Sequence, residues 1–214
     1  MIKEACVETF EEAQKAEQQG ASRIELCSDL ANDGLTPSLD LIQKTCDALK
    51  IPVMVMIRPR AGNFVHSEEE INRMKTDIHR AKQAGAAGVV FGLLDAGNKI
   101  DVQNTRLLTE YAYPLPVTFH KAIDELENPV EGVEVLKKIS GIKRILTSGG
   151  KPSAMEGLET LKKMLQTAGE NPIIMIAGKV TGKNVEELQQ LTGAVEFHGR
   201  RIVGNLSSEK AGSR

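Results

Sequence analysis

Arg23-Ile24-Glu25-Leu26-Cys27, followed by Gly34-Leu35-Thr36-Pro37-Ser38, reads as a short strand that runs into a loop and then a helix. Its side chains alternate, so Ile24 and Leu26 fall on one face and Arg23, Glu25 and Cys27 on the other. A strand buried on both faces normally carries apolar residues on both. Here one face holds a carboxylate and a thiol near the C-terminal end, which costs stability unless those groups have partners or a function.

Working outward, similar runs recur near Ile2–Val7, Pro52–Arg58, Gly88–Gly92, Pro116–His120, Arg144–Ser148, Ile173–Ala177 and Val195–His198, which makes eight strands. The segments between them carry helix-start signals. Thr9 with Glu12, Ser67 with Glu70, and Ser153 with Glu156 read as capping boxes. Asn128-Pro129 reads as an N-cap with proline at the first helical position. Ile71, Met74, Ile78 and Ala81 share one helix face. Strand–helix alternation on this scale implies a parallel sheet with right-handed crossovers, and its natural closure is a (β/α)8 TIM-type barrel in a single α/β domain. The alternative is an open doubly wound sheet, but no GxGxxG follows the first strand. No convincing apolar helix face follows His198, so the eighth helix is expected to be short or absent. The expected organisation is a barrel over residues 1–206 and a polar C-terminal tail over 207–214.

The composition agrees with such a barrel and excludes several partners. The chain has 214 residues, 41% of them hydrophobic, with 3% aromatics and no Trp, so the core is aliphatic. A net charge of −2 argues against nucleic acid and anionic membranes. No apolar run approaches the ~20 residues of a membrane span, and the N-terminus lacks a signal-peptide layout. Three cysteines do not make a disulfide framework. The expected setting is a reducing cytoplasm.

In a barrel of this type, active sites lie at the C-terminal ends of the strands. The parity of the second strand, applied to the others, places Glu4 and Cys6 inward, then Met54, Met56 and Arg58, then Thr118 and His120, and finally Glu196 and His198. The inward set at the top is Cys6, Glu25, Cys27, Arg58, His120, Glu196 and His198, with Asp124 on the loop after His120. Two readings stand: a reactive site, or a plug of mutually satisfied ion pairs. For chemistry, Glu25, His120, Asp124 and His198 are the candidate catalytic residues, with the histidines as general acid/base oriented by Asp124 or a glutamate. Arg58 is the candidate anion anchor; the alternative is that it pairs with Glu25 or Glu196. Thr147-Ser148-Gly149-Gly150 and Ala177-Gly178-Lys179 bring glycines to the ends of strands six and seven, where barrels often bind phosphate. Ser148, Gly149, Gly150 and Gly178 are therefore candidate ligand contacts, ordinary turn chemistry being the alternative. Arg60, Lys179 and Arg200 add positive charge. Cys6 and Cys27 come from neighbouring strands about 4.8 Å apart, so two inward thiols can approach one soft ion such as Cu(I) or Zn; the alternative is small buried hydrophobes. Cys46 reads as core filler, His66 as a solvated loop residue and His79 as exposed.

These residues fall within longer motifs: Glu4-Ala5-Cys6-Val7, Arg23-Ile24-Glu25-Leu26-Cys27, Gly34-Leu35-Thr36-Pro37-Ser38, Met56-Ile57-Arg58-Pro59-Arg60, Thr118-Phe119-His120-Lys121-Ala122-Ile123-Asp124, Ile145-Leu146-Thr147-Ser148-Gly149-Gly150, Ala177-Gly178 and Glu196-Phe197-His198. Together they resemble the CutC copper-homeostasis family over nearly the whole chain. The resemblance implies a (β/α)8 barrel, a cytoplasmic location, a homodimer or larger homo-oligomer, and a role in copper tolerance with Cu(I) held by Cys6 and Cys27. The chain departs from the family pattern at Ala177-Gly178-Lys179-Val180, one residue shorter than usual, at Arg200 in place of a serine, and at His66 in place of an aromatic residue. Two functions are thus expected in competition. One is a copper-homeostasis protein binding Cu(I) at the barrel mouth. The other is an enzyme acting on a small anionic metabolite, a phosphate or carboxylate, with Arg58 as anchor and His120 and His198 as acid/base. A scaffold with a vestigial site is the third.

Overall fold

Each apolar run and the capped segment after it form a strand–helix unit in the computed structural model, which describes residues 1–207. The order is β1 (Ile2–Val7), α1 (Phe10–Gln18), β2 (Arg23–Leu26), α2 (Leu39–Ala48), β3 (Val53–Met56), α3 (Glu68–Gln83), β4 (Gly88–Phe91), α4 (Val102–Ala112), β5 (Val117–Phe119), α5 (Pro129–Leu136), β6 (Ile142–Thr147), α6 (Leu158–Ala168), β7 (Ile173–Ile176), α7 (Val185–Thr192) and β8 (Glu196–Gly199). Neighbouring strands pair in parallel in chain order, and β8 pairs with β1 to close the barrel. Seven helices surround it, and among the described residues no helix follows β8. Apart from Ser207, the expected polar tail lies outside the described residues.

The caps explain where the helices begin. Thr9 Oγ1 accepts from Glu12 N at 3.1 Å. Ser67 and Glu70 make the reciprocal box, at 3.2 and 2.9 Å. Asn128 Oδ1 accepts from Val130 N at 3.2 Å, with Pro129 opening α5. The expected box at Ser153 does not open α6. Ser153 and Glu156 close a turn, and the helix starts at Leu158. The reason is packing: a Cβ on Gly157 would lie 1.9 Å from Ser148 O, so this turn is pressed onto the loop after β6 before the helix begins.

Two cores result. Outward residues such as Ile24, Leu26, Val55, Phe91, Phe119 and Phe197 pack under the helices and are fully buried; each contributes about 1.5–3 kcal/mol. Inside the barrel, Met54, Met56 and Val90 surround Cys6 and Cys27, while Leu146 and Met175 fill the opposite side. Glycine makes room there. A Cβ on Gly88 would lie 2.2 Å from Met54 Cε, and one on Gly92 would lie 2.5 Å from His120 Nδ1. The ladders end earlier than the sequence suggests, at Leu26, Met56 and Phe119. Cys27, Arg58 and His120 therefore stand just above the sheet, where their backbones turn outward and the site begins.

Candidate functional site

The polar interior divides into two levels. In the lower one, Arg23 bridges the carboxylates of Glu4 and Glu196. Arg144 Nε adds a second contact to Glu196 at 2.8 Å. All these carboxylates are buried. Burial alone would push Glu4 up, but the hydrogen bond from His198 and the charge of Arg23 outweigh it and hold Glu4 at about 2. Glu4 and Glu196 in turn raise Arg23 in spite of its own burial. This level is the plug of mutually satisfied charges.

The upper level joins the lower through His198, whose Nδ1 donates to Glu4 Oε1 at 2.8 Å and lies 3.5 Å from Glu25 Oε2. Cys27 Sγ donates to Glu25 Oε1 at 3.1 Å and lies 3.9 Å from Cys6 Sγ. Glu25 Oε2 is buried without a hydrogen bond. Ligand atoms of Cys6, Glu25 and Cys27 all lie within 4.8 Å of one another, as do those of Glu4, Glu25 and His198. Contact with Cys27 favours the Cys6 thiolate, and His198 assists, so Cys6 drops to about 6 against the opposing effect of burial. Cys27 moves the other way, first through Cys6 and then through burial. Burial pushes Glu25 up to about 8. His198 is raised well above its ordinary value, because Glu25, Cys6 and Glu4 together outweigh its desolvation.

Above this cluster is a cavity of about 340 Å³. Cys6, Glu25, Arg58, Phe64, His120 and His198 line it, and Asp124 and Arg200 reach its rim. Cys27 lies behind Cys6, fully buried. Gly34, at φ +83°, passes over Cys27; a Cβ there would lie 3.2 Å from Sγ.

Arg58 pairs with neither Glu25 nor Glu196. Its Nη1 donates to Asn32 O and Gly34 O at 3.1 and 3.3 Å, and its Nη2 to Gly62 O at 2.8 Å. The guanidinium lies 4.9 Å from the centre of the Phe64 ring. The His120 ring lies against the same phenylalanine, 4.9 Å away between centroids. Its Nδ1 accepts from Ala122 N at 3.2 Å, and burial with the charge of Arg58 holds it at about 3. The contact with Ala122 N leaves Nε2 of His120 to carry its proton, while Glu25, Cys6 and Glu4 favour the protonated form of His198. The two histidines, expected alike as general acid/base, are thus shifted in opposite directions.

Asp124 does not orient a histidine. Its carboxylate accepts from Thr147 Oγ1, Ser148 Oγ, Ser148 N and Gly150 N, the last three at 2.9 Å. The glycine loop after β6 therefore already holds an internal anion. Ser148, Gly149, Gly150 and Gly178 do not line the cavity; a Cβ on Gly178 would lie 2.7 Å from Ser148 Cβ, so these glycines let two loops pack. Arg60 folds back onto Glu70 at 2.6 Å, and Arg200 reaches Glu8 at 3.3 Å. His66 lies 3.4 Å from Glu70 and His79 is exposed. Sequence reasoning passed over Phe64 and Gly92. Phe64 is one of only five phenylalanines and stands in the loop after β3, which was the available signal.

Comparison with known proteins follows the same lines. The CutC family profile matches residues 1–203. The human protein named copper homeostasis protein cutC homolog is 43% identical over 197 residues, covering 92% of this chain and 72% of its own. A CutC family protein of Pasteurella multocida is 42% identical over 91% of this chain and 80% of its own. The crystal structure of CutC from Streptococcus agalactiae superposes with a TM-score of 0.90 at 33% identity, covering 94% of this chain and 99% of that one. An aldolase, QR15, shares the fold alone, with a TM-score of 0.73 at 13% identity over 96% and 92% of the two chains.

Proposed function

The chain belongs to the CutC family, and from that premise we propose that it is a copper-homeostasis protein that takes Cu(I) as its cargo between Cys6 and Cys27. The observation that carries this reading is the sulfur pair itself, 3.9 Å apart, with Cys6 on β1, Cys27 just past the end of the neighbouring β2, and Glu25 against it. Soft thiolates select Cu(I) over the hard cations, and thiolate is the form that binds. Cys6, lowered to about 6, is already in that form near pH 7, while Cys27 loses its proton when the metal enters. Met54 and Met56 pack against both thiols and keep the pair in apolar surroundings. All three cysteines are free, which fits a reducing compartment such as the cytoplasm. Among the described residues no helix is long and apolar enough to cross a membrane.

An anaerobic competition titration with a chromophoric Cu(I) chelator tests the reading. Wild type is expected to hold one Cu(I). Cys6→Ser and Cys27→Ser are each expected to weaken it by more than the about 10–100-fold that follows loss of a mere outer partner. Unchanged stoichiometry and affinity in the double variant would sink the site.

A further inference from the structure

The copper site leaves Arg58 unexplained, since a bound cation gains nothing from a guanidinium beside it. Arg58 is 4% exposed. It has five N–H donors, and three are engaged by the carbonyls of Asn32, Gly34 and Gly62. Those carbonyls fix its orientation but do not neutralise it. Among the described residues no carboxylate lies within ion-pair distance of it, unlike Arg23 and Arg144, which share Glu196. Asp33 lines the same cavity, and its charge favours Arg58 from a distance without a contact. The donors left are Nε–H, buried without a partner, and one N–H of Nη2. Nε and Nη2 form one edge of the guanidinium, and such an edge grips a carboxylate through two parallel hydrogen bonds. A buried cation held by neutral acceptors, with Nε–H unpartnered, is a half-built ion pair.

The surroundings narrow the ligand. Phe64 covers the guanidinium, and the His120 ring lies against the same phenylalanine. Because His120 Nδ1 is occupied by Ala122 N, Nε2–H is the ring's available donor, on a residue that lines the cavity. Met56 and Leu146 supply apolar wall. A volume of about 340 Å³ stands at the small end of ligand pockets, which run to about 1,000 Å³.

We propose that this cavity binds a small carboxylic acid carrying a second oxygen function. Its carboxylate sits on the Nε/Nη2 edge of Arg58, its second oxygen accepts from His120 Nε2–H, and its carbons lie on Phe64 and Met56. The site adjoins the thiol pair but does not depend on copper.

Calorimetric titration of the full chain tests this with pyruvate, glycolate and malate as probes, their uncharged amides as controls, and inorganic phosphate as the competing anion. At least one acid is expected to bind with one-to-one stoichiometry while its amide does not. This comparison needs no variant. Arg58→Gln is expected to weaken the acid at least tenfold, Arg58→Lys by less because it keeps charge without the fork, and His120→Gln by severalfold. Wild type is expected to bind the acid equally well before and after treatment with a Cu(I) chelator, so loss of the copper reading leaves this one standing, and the reverse. No saturable binding by any probe acid up to tens of millimolar overturns the proposal. So does equal binding of acid and amide, undiminished affinity in folded Arg58→Gln, or binding of phosphate alone.

Discussion

Arg23 and Arg58 stand one level apart inside the same barrel, and their surroundings are opposite. Arg23 lies between Glu4 and Glu196, with Arg144 and His198 extending the network, so each buried charge meets its counter-charge. Arg58 meets only backbone carbonyls and a phenyl ring. Both arginines are excluded from water. The difference teaches where structure stops and function starts: the lower level is complete by itself, while the upper holds a guanidinium edge, a carboxyl oxygen and two thiols that want something from outside.

The largest expected effect separates these levels by stability. Arg23→Ala leaves buried carboxylates short of a cation and is expected to cost about 3–5 kcal/mol. Arg58→Gln loses carbonyl contacts but also removes an uncompensated charge, so its net cost is expected to stay within about 1 kcal/mol. Urea unfolding of both variants at pH 7 measures this. Equal costs would erase the division between plug and site.

The fold was legible because it rests on local signals. Alternation in Arg23–Cys27 and the caps at Thr9, Ser67 and Asn128 depend on neighbours within four residues. Parity also brings Cys6, Glu25, Arg58, His120 and His198 to one cavity. What could not be read is who pairs with whom. Parity places Glu196 inside the barrel, but it does not tell that Arg23 and Arg144 occupy it and leave Arg58 out. Asp124 looked free to serve a histidine, yet the loop after β6, more than twenty residues on, closes around it. The histidines' titration depends on desolvation and on charges from other strands, which shift His120 down and His198 up and are not visible in sequence.

A middle-sized effect follows from His120 and carries the comparison into pH. Its folded pKa of about 3 lies below the ordinary value of 6.5, so the folded state excludes a proton that the unfolded chain binds. The stability it contributes is present above about pH 6.5 and is lost as pH falls toward about 3, at up to about 1.4 kcal/mol per pH unit. Glu4, Glu25 and His198 titrate in wild type and variant alike, so the difference between wild type and His120→Gln isolates the histidine. The expected difference in unfolding free energy is nearly constant above pH 7 and shifts steadily in favour of His120→Gln between pH 6.5 and 4.5. A constant difference across that range would mean that Arg58 and burial do not keep His120 neutral.

The smallest effect probes Thr118, an interior polar residue that belongs to neither level. Thr118 stands inside the barrel, its Cα opposite Arg144 on the neighbouring strand, and its Oγ1 is fully buried with no hydrogen-bond partner among the described residues. It does not line the cavity, so a ligand does not explain it. An unsatisfied buried hydroxyl costs about 1–3 kcal/mol, and valine has its shape without that group. Thr118→Val is therefore expected to raise stability by about 1 kcal/mol in the same urea experiment. A loss instead would mean that the hydroxyl has a partner of its own, and the charged lower level would then need something besides its own side chains to be complete.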